Sequence, residues 1–76
     1  MRKIVKTINL KNVVWKEGKY YVAWNLNTSV SSFGNTKKEA LKCLEEALTL
    51  YFEDMPISKI AKVERLDMVP LNFTYA

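Results

Sequence analysis

GNTKKEALKCLEEALTLYFED, residues 34–54, decides the fold. Thr36 stands three residues ahead of Glu39. A threonine hydroxyl there can accept from the Glu39 backbone N–H while the Glu39 side chain reaches back to the Thr36 N–H, which makes a capping box. Ala40, Leu44, Ala47, Leu48 and Tyr51 then recur at helical spacing, flanked by Leu41, Phe52 and Met55. Lys42, Glu45, Glu46 and Thr49 fall mostly on the opposite side. Pro56 keeps Met55 out of helical geometry, so the helix is predicted to end at Glu53 or Asp54. A helix of this kind has one apolar stripe and needs one surface to cover.

The end charges of this helix oppose its macrodipole. Lys37 and Lys38 occupy the first turn, where acids are favoured, and Glu53 and Asp54 occupy the last, where bases are. The penalty is about 0.3–1 kcal/mol per exposed group, and a good N-cap offsets a similar amount. The arrangement is tolerable and by itself demands no function. Solvated lysines are the plain reading of Lys37 and Lys38, and a cationic helix terminus facing phosphate is the sharper one.

Upstream lie strand patterns. Residues 3–15 are rich in Ile and Val, with Ile4, Ile8, Leu10 and Val14 in one parity, and read as a long first strand. Lys16-Glu17-Gly18 is a turn signal. From Lys19 to Leu26, Tyr20, Val22, Trp24 and Leu26 alternate with Lys19, Tyr21, Ala23 and Asn25, which predicts a hairpin. Asn27-Thr28-Ser29 is a second turn, and Val30 to Phe33 a short third strand closed by Gly34-Asn35. After the helix, Ile60 to Tyr75 is strand-like again. Its parity switches beside Pro70, which predicts a bulge or break near a sheet edge. The fold class is therefore α+β: a two-layer β-β-β-α-β domain over residues 1–76, with a small mixed sheet and one helix on one face. Tyr21, Ala23, Val5, Val13 and Trp15 are expected on the face that the helix leaves open, a surface for association.

The 76 residues contain one cysteine and no histidine. Zinc sites of Cys and His, an internal disulfide, and Ser–His or Cys–His nucleophiles are excluded. Cys43 reads as a small, half-buried hydrophobe. No enzyme, no catalytic or metal-binding residue and no cofactor is expected. No apolar run approaches the ~20 residues that span a bilayer. A lone cysteine and no export signal point to the cytoplasm.

The net charge is +4. Six basic residues and one acid fall in residues 1–20, none of either in 21–36. The basic residues Arg2, Lys3, Lys6 and Lys11, with Lys37 and Lys38, are the candidates for a nucleic-acid footprint. On strands, however, lysines commonly guard an edge against mispairing. The charge-free band is rich in Asn, Thr and Ser, and a neutral band of this kind suits a protein interface. Trp24, Asn25, Asn27 and Phe33 are its candidate contact residues.

Tyr21-Val22-Ala23, Gly34-Asn35-Thr36, Glu39-Ala40-Leu41, Ala47-Leu48 and Tyr51 together resemble the HicB family of antitoxins. That family's pattern is a G-(D/N)-T-x-x-E-A-L helix start after a β-hairpin. Tyr21, Gly34, Thr36, Glu39, Ala40, Ala47 and Tyr51 carry the structural signature. The resemblance implies a partial RNase H-like fold, with the last strand added beside the first. It implies a partner too, a small toxin ribonuclease of the HicA type that cleaves mRNA; self-association as a homodimer or larger is expected instead from the small core and the open sheet face. The likeness is to a short form with neither a helix-turn-helix nor a ribbon-helix-helix module. RNase H chemistry itself is not implied, since it needs clustered carboxylates to hold metal ions and only Glu17 lies in the strands before the helix. The segment Asn25–Val30 lacks the Pro and Gly usual in the family, and the +4 charge is unlike an acidic antitoxin. A stand-alone nucleic-acid-binding module is the alternative reading.

Overall fold

The computed structural model describes residues 8–76. Three strands, β1 (Asn12–Glu17), β2 (Tyr20–Asn25) and β3 (Ser31–Gly34), precede one helix, α1 (Lys37–Asp54), and a short 3-10 turn at Ile57–Lys59. Among the described residues the sheet has three antiparallel strands in the order β1-β2-β3. This is a small α+β fold with α1 on one face of the sheet.

Each element has a local cause. Gly18 (φ +63°) and Lys19 form the two-residue loop between β1 and β2. Positive φ at the first loop position alone is the pattern of a type II′ turn, whose twist matches that of the strands. The second connection is built on Asn25. Its backbone N–H donates to the Val30 carbonyl (2.8 Å), and its carbonyl accepts from the Ser29 N–H (2.9 Å). Ser29 takes a left-handed conformation (φ 64°) to close that loop. At the helix start the Thr36 hydroxyl accepts from the Glu39 N–H at 3.0 Å. That half of the capping box forms; the reciprocal Glu39 bond does not. At the other end Met55 is extended (φ -112°, ψ 122°), as a residue before proline should be, and its N–H closes the helix on the Tyr51 carbonyl.

The helix sits on the sheet through small residues. Ala23 of β2 and Ala40 of α1 are completely buried, with Leu44 and Leu48 beside them. Leu10, Val14, Tyr21, Val30 and Phe52 pack around this cluster. Gly34 supports the close approach. A Cβ placed there would lie 2.6 Å from the Ala40 backbone nitrogen and 2.9 Å from the Glu39 carbonyl carbon. The helix therefore packs on β3 and β2 and reaches β1 least. Cys43 is half-buried on α1, as a small hydrophobe should be.

Two expectations change. The helix covers the face bearing Tyr21 and Ala23, not the opposite one, because the small residues Ala23, Gly34 and Ala40 let it come close there. Val13 and Trp15 do lie on the open face, and Val5 falls outside the described residues. The expected fourth strand is not seen among the described residues: there, residues 60–76 join no ladder. The tail does start beside β1. Ala61 is tied to Asn27 by a backbone bond (3.2 Å) and by the Asn27 side chain (2.7 Å), and Leu66 and Met68 then come alongside Val13, Val14 and Trp15.

Candidate functional site

The register places Val13, Trp15 and Glu17 of β1 beside Tyr20, Val22 and Trp24 of β2, and these beside Ser31 and Phe33 of β3. Strand residues alternate between faces, so all eight share the face turned away from α1. Trp15 is 40% exposed, Tyr20 43%, Trp24 36% and Phe33 66%. The Tyr20 and Phe33 rings meet at 5.6 Å between centroids. Four aromatic side chains thus form an open, rigid surface on a sheet. Among the described residues its only charged member is Glu17.

The four residues expected to contact a partner separate into two pairs. Trp24 and Phe33 stand on this face. Asn25 and Asn27 do not: both are buried, Asn25 completely. The Asn25 Nδ2 donates to Asn12 Oδ1 (2.7 Å), while its Oδ1 accepts from both the Thr28 N–H (2.9 Å) and the Thr28 hydroxyl (2.8 Å). Asn27 Oδ1 accepts from the Lys11 N–H (2.8 Å), and its Nδ2 donates to the Ala61 carbonyl. These two amides organise the loop and clip the tail onto the sheet. Polar residues without charge satisfy buried backbone groups at no ionic desolvation cost, which is why the band looked like an interface in the sequence.

Asn27 gives a direct test of that clip. Asn27→Ala removes two side-chain hydrogen bonds at about 1 kcal/mol or more each when the partners stay buried. Amide exchange at Lys11 and Ala61 is expected to speed by roughly 10- to 100-fold, read by hydrogen exchange, while the α1 amides change much less.

The candidate nucleic-acid residues do not converge. Arg2, Lys3 and Lys6 lie outside the described residues. Lys11 sits by the Asn25–Asn27 end of the sheet. Lys37 and Lys38 sit at the opposite end, at the exposed start of α1 next to Gly34. The length of β2, roughly 20 Å at strand rise, separates them. The signature residues have structural duties. Gly34 and Ala40 make the close contact, Thr36 caps Glu39, Tyr21 packs at the core, and Ala47 and Tyr51 lie half-buried along α1. The sequence reading placed Trp15 on the open, associating face but did not group it there with Tyr20, Trp24 and Phe33. Their common face follows from alternation across a two-residue turn, once Glu17 is paired with Tyr20.

A family model matches residues 7–71, spanning the sheet, the helix and most of the tail. The chain belongs to the DUF7387 family. It is described as a family of unknown function. No curated protein and no solved structure matches this DUF7387 chain. Among the described residues, no DUF7387 helix is long and apolar enough to cross a membrane.

Proposed function

We propose that this protein is a non-catalytic binding protein that holds a small protein partner on the open face of its sheet. The partner class is the one implied by the HicB-like motif: a small toxin ribonuclease of the HicA type, sequestered in the cytoplasm by protein–protein contact. The observation that carries the reading is the aromatic face of Trp15, Tyr20, Trp24 and Phe33, whose one charge among the described residues is an acid. Trp and Tyr are the residues that most often dominate binding energy at the centres of protein interfaces. A sheet face lined this way offers large apolar contact at little cost in side-chain entropy. The proposal asks no covalent step of any residue.

The stand-alone nucleic-acid module draws on the same aromatics, which could stack on bases. Such a module needs cations on or beside the platform to hold phosphates. Among the described residues the face itself carries Glu17 and no cation, Lys19 stands only at its turn, and Lys11 and Lys37–Lys38 lie at opposite ends of the sheet. The face therefore favours protein.

The experiment is affinity capture from native extract at low and high salt, followed by an RNA-cleavage assay on the captured protein. A small basic protein is expected to stay bound at high salt, to cleave RNA when alone, and to be blocked by the wild-type chain. The double variant Trp24→Ser/Phe33→Ser is expected to bind at least roughly 100-fold more weakly, since two hot-spot side chains are lost. RNA or DNA that binds directly and is released as salt rises overturns the proposal. So does capture of nothing but this chain itself.

A further inference from the structure

Among the described residues, the tail beyond Met68 has the pattern of a strand but pairs with none. Val69, Leu71, Phe73 and Tyr75 share one parity and alternate with Pro70, Asn72 and Thr74, the pattern of a half-buried strand. Yet Met68 and these four are between 78% and 87% exposed. Seven residues in extended form reach roughly 23 Å, and they project from the body. The described residues span 63 × 28 × 19 Å with a radius of gyration of 15.4 Å, against roughly 11 Å for a compact domain of this length.

An acceptor exists in the same chain. β1 is an edge strand, and among the described residues only β2 pairs with it. Along it runs an apolar groove of about 550 Å³ lined by Val13, Val14, Trp15, Leu66 and Met68. The chain's own tail forms one wall of that groove and then leaves it. An apolar arm without a sheet and an apolar edge groove without a strand occur together in every copy, in equal number. That is the requirement for a closed, two-fold contact in which each surface meets its counterpart on the other molecule.

We propose that residues 69–75 are an exchange arm, and that two copies of this chain associate by each placing its arm in the β1 groove of the other. Backbone pairing along β1 supplies affinity, as in strand addition to a sheet edge. Four apolar side chains per arm, at roughly 100 Å² each, with a matching area on each acceptor, bury on the order of 1,600 Å² in total. That is the size of a stable specific interface. The groove adjoins the aromatic face, sharing Trp15 and reaching Val13, the cross-strand partner of Trp24, but the arm substitutions leave that face unchanged, so loss of the dimer and loss of the toxin contact are read separately.

The test uses the full-length chain. Sedimentation equilibrium is expected to give a dimer at micromolar concentration. Leu71→Asp/Phe73→Asp changes only exposed arm residues, so its circular dichroism should match that of wild type, while its dimer dissociation constant should rise roughly 100-fold or more. A spin label on Tyr75→Cys, in a Cys43→Ser background, mixed with isotope-labelled unlabelled-spin copies should broaden the Val13 and Val14 methyl resonances of the other copy. A monomeric wild type overturns the proposal. A dimer that survives the arm substitutions overturns it as well, because association then uses another surface. Broadening only within a spin-labelled copy overturns it too, because the arm then folds back on its own groove.

Discussion

Gly34→Ala is expected to destabilise the protein by about 3 kcal/mol, the upper part of the usual range for overpacking. The new Cβ meets the Ala40 nitrogen at 2.6 Å, and the Glu39 carbonyl carbon and Cβ at 2.9 Å. Two of these three atoms are backbone, so no side-chain rotation clears them. Either β3 moves away from α1 or the first helical turn shifts, and each opens the Ala23–Ala40 contact at the centre of the core. Domains of this size hold only about 3–5 kcal/mol in all. Thermal unfolding should therefore fall by roughly 12–24 °C, with a large unfolded fraction at 37 °C. Gly18→Ala is the comparison. Gly18 has positive φ but nothing within 4 Å of an added Cβ, so it loses only the left-handed backbone preference, about 1–2 kcal/mol. If the two variants unfold at the same temperature, the close packing at Gly34 is not what holds the helix to the sheet.

Asn25→Ala is expected to cost about 2–3 kcal/mol. The side chain is fully buried and serves three bonds. Its removal leaves the Thr28 N–H without its acceptor, at about 1–3 kcal/mol for a buried orphan donor, and removes the cross-strand link to Asn12. Thr28→Ala should cost less, about 1 kcal/mol, because Asn25 Oδ1 keeps the Thr28 N–H. The Thr28 hydroxyl also accepts from the Val30 N–H at 3.1 Å, so the loop loses two weak supports, not its pivot. Since the two residues share a network, a double-mutant cycle in chemical denaturant should show coupling of about 1 kcal/mol. Strict additivity would contradict the assignment of this loop to Asn25.

The strands of the hairpin, the third strand and α1 were legible from alternation, turn residues and the Thr36–Glu39 cap. What alternation does not give is which face is inside. Bulky Tyr20 and Trp24 look like core beside Ala23 and Asn25. The helix instead settles where Ala23, Gly34 and Ala40 let backbones approach, and the aromatics are left outside. Asn25 and Asn27 misled for a related reason. An uncharged amide is as well suited to a buried turn as to an interface, and only the partners Asn12, Thr28, Lys11 and Ala61 tell the two apart. The tail has a strand's period of two, but a strand forms only where an edge receives it, and no edge among the described residues does so. Nothing in residues 60–75 names that edge.

Both tryptophans of the chain stand on the open aromatic face and report on a partner bound there. Trp15 and Trp24 are 40% and 36% exposed in the free protein. The most direct measurement is acrylamide quenching of tryptophan emission, free and with the captured partner at high salt, repeated with Trp15→Phe so that Trp24 alone is read. Binding at this face is expected to blue-shift the emission and to lower the quenching of Trp24 several-fold. A partner that binds tightly while Trp24 stays as quenchable as before would contradict it and move the interface to another surface.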